Sequence, residues 1–212
     1  MTITEPITVT GRTEVQAGEV SIGASDLLDL LTGAIIATSK DRTLNKLNGI
    51  SLVAGDNTLT ATSTDLYRLI TGKVTVVSNA SFNTILENTD ANKVIVALKP
   101  IVKRKDPRCP IVLDVIGNEI VFTLPDQSFT FRLLDGTFPP YEHLLAKEVA
   151  DSSKMAFNCS LLGSFADIPT GYKKGSVPVI FTFHGDSSLV TFTVAHDSIA
   201  WRGGIMPMRY KD

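Results

Sequence analysis

Cysteine is scarce in this 212-residue chain: only Cys109 and Cys159 are present. Two thiols make no disulfide framework. Both read as small core residues, and a reducing cytoplasm is the simplest expectation. No apolar run approaches the ~20 residues that cross a membrane. The polar start MTITEPITVTGRTEV lacks a charged-then-apolar pattern, so export is not expected. Histidine is limited to His143, His184 and His196, without metal-ligand spacing. There is no Gly-rich phosphate loop and no nucleophile elbow. Glu119, Asp186 and Asp197 fall in or beside turns, where carboxylates are ordinary. These absences argue against an enzyme and against a metal or cofactor.

Excess positive charge is also missing. Twenty Lys and Arg against 22 Asp and Glu leave a net charge of −2, which excludes a nucleic-acid binder working through bulk charge. The distribution says more. Residues 40–46 carry +2, residues 99–108 carry +4, and Lys173 with Lys174 adds +2, leaving −10 on the rest. Basic residues therefore cluster in three places on an acidic body. They are either three solvated turns or parts of one positive surface. With 43% hydrophobic and 20% charged residues, the chain suits one or two globular domains with a substantial core.

In order, residues 1–17 read as a loosely attached arm. Glu19–Gly23 alternates as a strand. Ser25 can cap a helix holding Leu27, Leu30, Leu31, Ala34 and Ile35, with Asp26 in its first turn. A hairpin across Gly55-Asp56-Asn57 and a strand from Arg68 to Val77 follow. Ser78–Asn92 reads as a polar connection. A second unit begins with a strand at Lys93–Val96, then a short helix with Pro100 in its first turn, stopped by Pro107 and Pro110. Strands at 111–115, 119–124 and 127–134 lead to Asp135–Tyr141, a turn with two anchoring aromatics. Residues 146–153 read as a linker. A third unit over 154–212 has a strand at 154–157, a brief helix capped by Asn158 or Ser160, and strands at 177–184, 188–194 and 199–207. The order strand, helix, three strands thus occurs three times, at roughly 60–65 residues each. Such copies pack side by side and share sheets, each helix turning an apolar stripe to the sheet.

One stretch, Leu47–Ile70, ends in a corner, Ser63-Thr64-Asp65-Leu66-Tyr67-Arg68-Leu69. Asp65 and Arg68 want water, whereas Leu66, Tyr67 and Leu69 want cover. This is either a strand-to-strand corner fixed by Thr64 and Asp65, or a peptide-docking groove with an apolar floor and a polar rim. At the far end, Met206-Pro207-Met208-Arg209 is either an edge strand ended by proline or a second, adaptable groove wall.

Leu47-Asn48-Gly49 with the corner, Leu134–Tyr141, and Met206–Arg209 together resemble the bacterial sliding clamp family, the β subunit of DNA polymerase III. They match that family's Leu-Asn-Gly and Ala-Thr-Asp-Gly-His-Arg-Leu, its Asp-Gly-x-Phe-Pro-Asp-Tyr and its closing Met-Pro-Met-Arg. The family's Gly-His stands here as Leu66-Tyr67. Units one and two (18–145) resemble the whole second domain, and unit three resembles the later half of the third.

The resemblance implies an α+β DNA-clamp fold of repeated βαβββ units, helices on one face and antiparallel sheets on the other. It implies a non-enzymatic processivity factor that encircles duplex DNA without sequence preference and tethers polymerase and other partners. It places Leu47, Thr64, Leu66, Tyr67, Arg68 and Leu69 on one groove wall and Met206, Pro207, Met208 and Arg209 on the other, with Ala146 where the family often has a proline that lines the pocket. Lys40, Arg42, Asn45, Lys46, Lys99, Lys103, Arg104, Lys105, Lys173 and Lys174 are the DNA-facing candidates. Asn45 and Lys46 match positions where the family touches DNA. The implied partners are duplex DNA, a replicative polymerase, a clamp loader and further copies of this chain. If twelve units close a ring, four chains are needed; a dimer or trimer are the other counts. The setting is the cytoplasm of a bacterium or of an infected bacterial cell. The rival reading is a clamp-fold decoy or modulator that binds clamp-seeking peptides without encircling DNA.

Overall fold

Alternation at Val20 and Ile22 makes Glu19–Gly23 a strand, β1; the change to Leu27, Leu30, Leu31 and Ala34 makes Ala24–Ile35 a helix, α1. The chain is represented by a computed structural model describing residues 18–41, 43–103, 106–145, 155–169, 178–185, 188–194, 196 and 198–208. The expected arm 1–17, the linker 146–153, and Arg42, Arg104, Lys105, Ala146, Lys173, Lys174, Asp186, Asp197 and Arg209 lie outside the described residues. Ser25 is not the cap of α1. The helix begins at Ala24, and the N–H groups of Ala24 and Ser25 donate to the carbonyls of Cys109 and Pro107, both at 2.9 Å. A distant loop thus satisfies the donors that a capping side chain would otherwise take.

Three strands follow: β2 (Gly49–Gly55), β3 (Thr58–Thr64) and β4 (Arg68–Thr75), with a short β5 (Val77–Ser78). Asp56 and Asn57 both adopt positive φ, 50° and 55°, in the tight turn that the Gly-Asp-Asn signal predicts. The second unit differs from expectation at its start. Its first strand is β6 (Phe82–Glu87), inside the supposed polar connection, and Lys93–Val96 is helical, within α2 (Asn88–Lys103). The β-branched Val94-Ile95-Val96 favours a strand locally. Helical spacing prevails because Ala91, Val94, Ile95 and Leu98 form one buried stripe. Pro100 therefore sits in the last turn, on the exposed side, not in the first.

Next come β7 (Pro110–Ile116), β8 (Glu119–Thr123) and β9 (Ser128–Arg132), then a one-turn helix α3 (Glu142–Leu145). The third unit has a short helix α4 (Cys159–Gly163), capped by the Asn158 side chain, which accepts the N–H of Ser160 at 2.9 Å. Then follow β10 (Val179–Thr182), β11 (Val190–Val194) and β12 (Ile199–Ile205).

The strands form two antiparallel sheets, β5-β1-β7-β8-β9 and β10-β11-β12-β4-β3-β2-β6. The first two units exchange their first strands. β1 joins β7, from Glu19↔Asp114 to Gly23↔Pro110, while β6 joins β2, from Gly49↔Glu87 to Ala54↔Phe82. Beneath the two sheets α1 packs against α2, burying Leu27, Leu30, Leu31, Val94 and Leu98 in one core. The result is α+β, as expected.

The third unit joins through β12, which pairs with β4 from Ile199↔Val74 to Ile205↔Arg68. Trp201 on β12 is 1% exposed, and its indole Nε1 donates to the Pro169 carbonyl at 3.1 Å. The ring lies over two glycines, Gly33 of α1 and Gly72 of β4, where a Cβ would enter its van der Waals envelope. A polar tie runs alongside. Ser198 Oγ donates to Asp26 at 2.6 Å, and His196 Nε2 stands 3.7 Å from Asp29. Burial pushes the Asp29 carboxyl above its ordinary range, against the pull of His196.

Exchanging glycine for alanine inside a helix ordinarily stabilises by up to about 1 kcal/mol. Here the sign inverts: Gly33→Ala will lower stability by roughly 1–3 kcal/mol, because the methyl overpacks against Trp201. A thermal unfolding midpoint that is unchanged or raised would contradict this packing.

Candidate functional site

Between β3 and β4 the chain turns at Thr64–Tyr67, and side chains fix that turn. Thr64 Oγ1 donates to the Arg68 carbonyl at 2.8 Å and accepts the Leu66 N–H at 3.1 Å. Asp65 Oδ1 accepts the N–H groups of Tyr67 and Arg68 at 3.1 and 3.0 Å, and its Oδ2 takes Arg68 Nε at 3.0 Å. Arg68 Nη1 donates to Ser164 Oγ, so the guanidinium is committed to the framework and joins the first unit to the third. Leu66 sits at φ 73°, a left-handed conformation that costs a branched residue about 1–2 kcal/mol. This is the position at which the resembled motif has glycine. The surrounding bonds hold leucine there and turn it outward: Leu66 is 60% and Tyr67 66% exposed.

The end of β12 runs beside this corner. Ile205 pairs with Arg68, and the Met206 N–H donates to the Tyr67 carbonyl at 2.9 Å. Between them lies a groove of ≈ 290 Å³. Thr64, Leu66, Tyr67, Arg68 and Leu69 line one side. Met206, Ser188 and Leu189 line the other, with Pro139, Pro140, Tyr141 and Leu144 at one end. The Thr62 hydroxyl donates to Tyr141 Oη at 2.9 Å, fixing that end to β3.

Six of the anticipated groove residues thus come together: Thr64, Leu66, Tyr67, Arg68, Leu69 and Met206. Leu47 does not line the groove. It is buried with Ile85 and Phe138 in a small cluster on which Tyr141 packs, and so supports the groove from behind. Pro207 and Met208 continue past it, and the Met208 N–H donates to the Ala156 carbonyl at 2.7 Å. Residues 139–141 carried a signal, as an aromatic turn, but not one that pointed to a groove. Leu144, Ser188 and Leu189 carried none, because only the sheet order brings the β10–β11 connection here.

The basic candidates divide into two groups. Lys40 and Asn45 line an open depression of ≈ 750 Å³ together with Asn88 and Thr89 at the start of α2, and the Lys46 stem lies over Gly136 nearby. Lys99 and Lys103 are exposed near the end of α2. At 1.5 Å per residue Lys103 lies roughly 22 Å along the axis from Asn88. Neither α1 nor α4 contains Lys or Arg, so the positive charge after α1 belongs to the following loop. Among the described residues no group of three or more His, Cys, Asp or Glu could hold a metal, and no helix is long and apolar enough to cross a membrane.

Two antiparallel sheets over a helix pair, extended by a third unit of one short helix and three strands and indented beside the last strand, define a clamp-type domain. A family model for the central domain of the DNA polymerase III beta subunit matches residues 21–140. The chain belongs to this family. The beta sliding clamp of Halalkalibacterium halodurans is 29% identical over 130 residues, covering 59% of this chain and 33% of the relative. That of Pseudomonas putida is 34% identical over 105 residues, covering 48% and 26%. The matched segment therefore spans about a third or less of these curated relatives' length. Among solved structures, the DNA polymerase III beta subunit of Thermotoga maritima superposes with a TM-score of 0.76 at 15% identity, covering 94% of this chain and 68% of that one. A DnaN sliding clamp from Pseudomonas aeruginosa bound to griselimycin gives 0.74 at 19%, covering 96% and 68%. At these identities the likeness is one of fold.

Asp65 holds two backbone N–H groups and Arg68 at once. Asp65→Ala will cost roughly 2–4 kcal/mol in denaturant unfolding, since it strands these donors. A loss below about 0.5 kcal/mol, the ordinary surface value, would show that the corner is held by its strands alone.

Proposed function

We propose that the chain is a sliding clamp, a processivity factor that assembles into a ring around duplex DNA and tethers a replicative polymerase and other partners. The observation that carries this is the groove between the Thr64–Arg68 corner and the end of β12. It is apolar at its walls and fixed in shape by the Asp65–Arg68 network. It is rimmed by exposed Leu66, Tyr67 and Met206. Such a site suits a short peptide with apolar anchors, and methionine lets it accept several sequences. The clamp itself performs no chemistry. Its hold on DNA must allow sliding, so the contacts must be to phosphates and blind to sequence. Exposed Lys40, Lys46, Lys99 and Lys103, with Asn45, are the described candidates for that contact. Three units do not encircle a duplex, so closure calls for several chains, four if twelve units make the ring. A clamp loader would open it, in the cytoplasm of the bacterial or infected cell.

Two measurements test this. Leu66→Asp and Met206→Asp change exposed side chains and leave the fold intact. Each should weaken binding of a fluorescent clamp-binding peptide at least tenfold, about 1.4 kcal/mol. Unaltered affinity in both would remove the groove from the reading. For DNA, the quadruple change of Lys40, Lys46, Lys99 and Lys103 to Gln should weaken low-salt association and flatten its salt dependence. A salt slope equal to that of the parent would place the DNA contact elsewhere. Peptide binding without retention on closed circular DNA would favour a peptide-capturing decoy instead.

A further inference from the structure

In each unit, the first strand pairs with the residues that follow that unit's own last strand. β1 pairs with β5, Val20↔Ser78 and Ser21↔Val77. In the second unit the Leu134 N–H donates to the Ile85 carbonyl of β6 at 2.9 Å. In the third, Ala156 bridges Met208. The other side of the first strand differs among the three. β1 is covered by β7, and β6 by β2, in each case the first of the three strands of the opposite unit. Met155–Phe157 has no such cover among the described residues. Nor has β10, the first of the three strands of its own unit, which ends the seven-stranded sheet with one edge that no described residue pairs.

We propose that a second copy of this chain fills both vacancies at once. Met155–Phe157 of each copy lies antiparallel along β10 of the other, about a twofold axis. The two α4 helices then meet as α1 meets α2. The pairing is isologous: one strand offered and one edge open on each side make the contact self-complementary and closed. The chemistry of the edge agrees. β10 reads Val-Ile-Phe-Thr, without charge, and Ile180 is 67% exposed. Phe183 beside it is 38% exposed and Leu162 on α4 39%. A bare, uncharged edge of this kind is one that folded proteins cover or blunt. The interface deepens the ring reading by naming how the half domain is completed, but it rests on the strand exchange and needs no DNA.

The test is the mass of the full chain in solution by light scattering at about 10 μM, together with amide hydrogen exchange. The parent should contain an even number of 22.9 kDa chains. Ile180→Asp should halve that mass, with the far-ultraviolet circular dichroism unchanged. Amides of residues 155–157 and 179–182 should be protected in the parent and exchange faster in the variant. An odd number of chains, a strict monomer, or a variant of parental mass overturns the proposal. So does halving without faster exchange at those amides. Retention of the clamp-binding peptide by the Ile180→Asp form separates failure of this interface from failure of the groove reading, since the groove lies within one chain. If Ile180→Asp is poorly folded, Leu162→Asp on α4 gives the same halving by the same contact.

Discussion

The reciprocal donation of first strands is the constraint on which the rest of the structure depends. β1 enters the sheet that holds β7, β8 and β9 of the second unit, and β6 enters the sheet that holds β2, β3 and β4 of the first. Neither unit has a finished sheet without the other. The shared helix layer, with Leu27, Leu30, Leu31, Val94 and Leu98 in one core, closes only when both donations are made. Because a slip of one residue would turn every side chain of a strand to the wrong face, the two registers fix the whole domain. They also fix β4, the strand that then receives β12.

The groove follows from that placement. Its corner is local chemistry, with Thr64 and Asp65 satisfying backbone groups within four residues. Its depth is not local. The wall opposite comes from the β10–β11 connection and the exit of β12, and both arrive because Trp201 seats the third unit over Gly33 and Gly72. Rigid wedging of an aromatic ring against two glycines keeps β12, and with it Met206, beside Tyr67. Arg68 adds a second link by reaching Ser164. Apolar surface can therefore stay exposed at Leu66, Tyr67 and Met206 because the framework beneath is held without it.

Much of this was legible in the chain. The strand and helix at 19–35, the Asp56-Asn57 turn, the last three strands of the third unit and the Asn158 cap all follow from short-range rules, and each is found, whereas the strand expected at 154–157 is only an isolated bridge at Ala156. The failures have physical causes. Val94-Ile95-Val96 is a strand by composition and a helix by burial, since only its fourfold stripe meets the sheets. Ser25 lost its capping role to carbonyls from residues 107 and 109, which no local window contains. Leu47 belongs to the right neighbourhood but faces inward, toward Ile85 and Phe138. Ser188 and Leu189 were invisible because only the order of strands in a sheet brings them to the corner. Family membership was readable from the corner, the aromatic turn and the Met-Pro-Met-Arg end, and the match over residues 21–140 agrees with it.

The exchange has a consequence for how the protein is made. β1 leaves the ribosome well before its longer partner, β7, which begins at Pro110. At about 5–20 residues per second, the nascent strand waits on the order of ten seconds before β7 exists. Through that interval β1 and the apolar side of α1 have no finished sheet to enter, so the newborn chain offers a sticky flank to chaperones. It also offers that flank to its neighbours on the same message, and synthesis of the second unit is what retires the hazard.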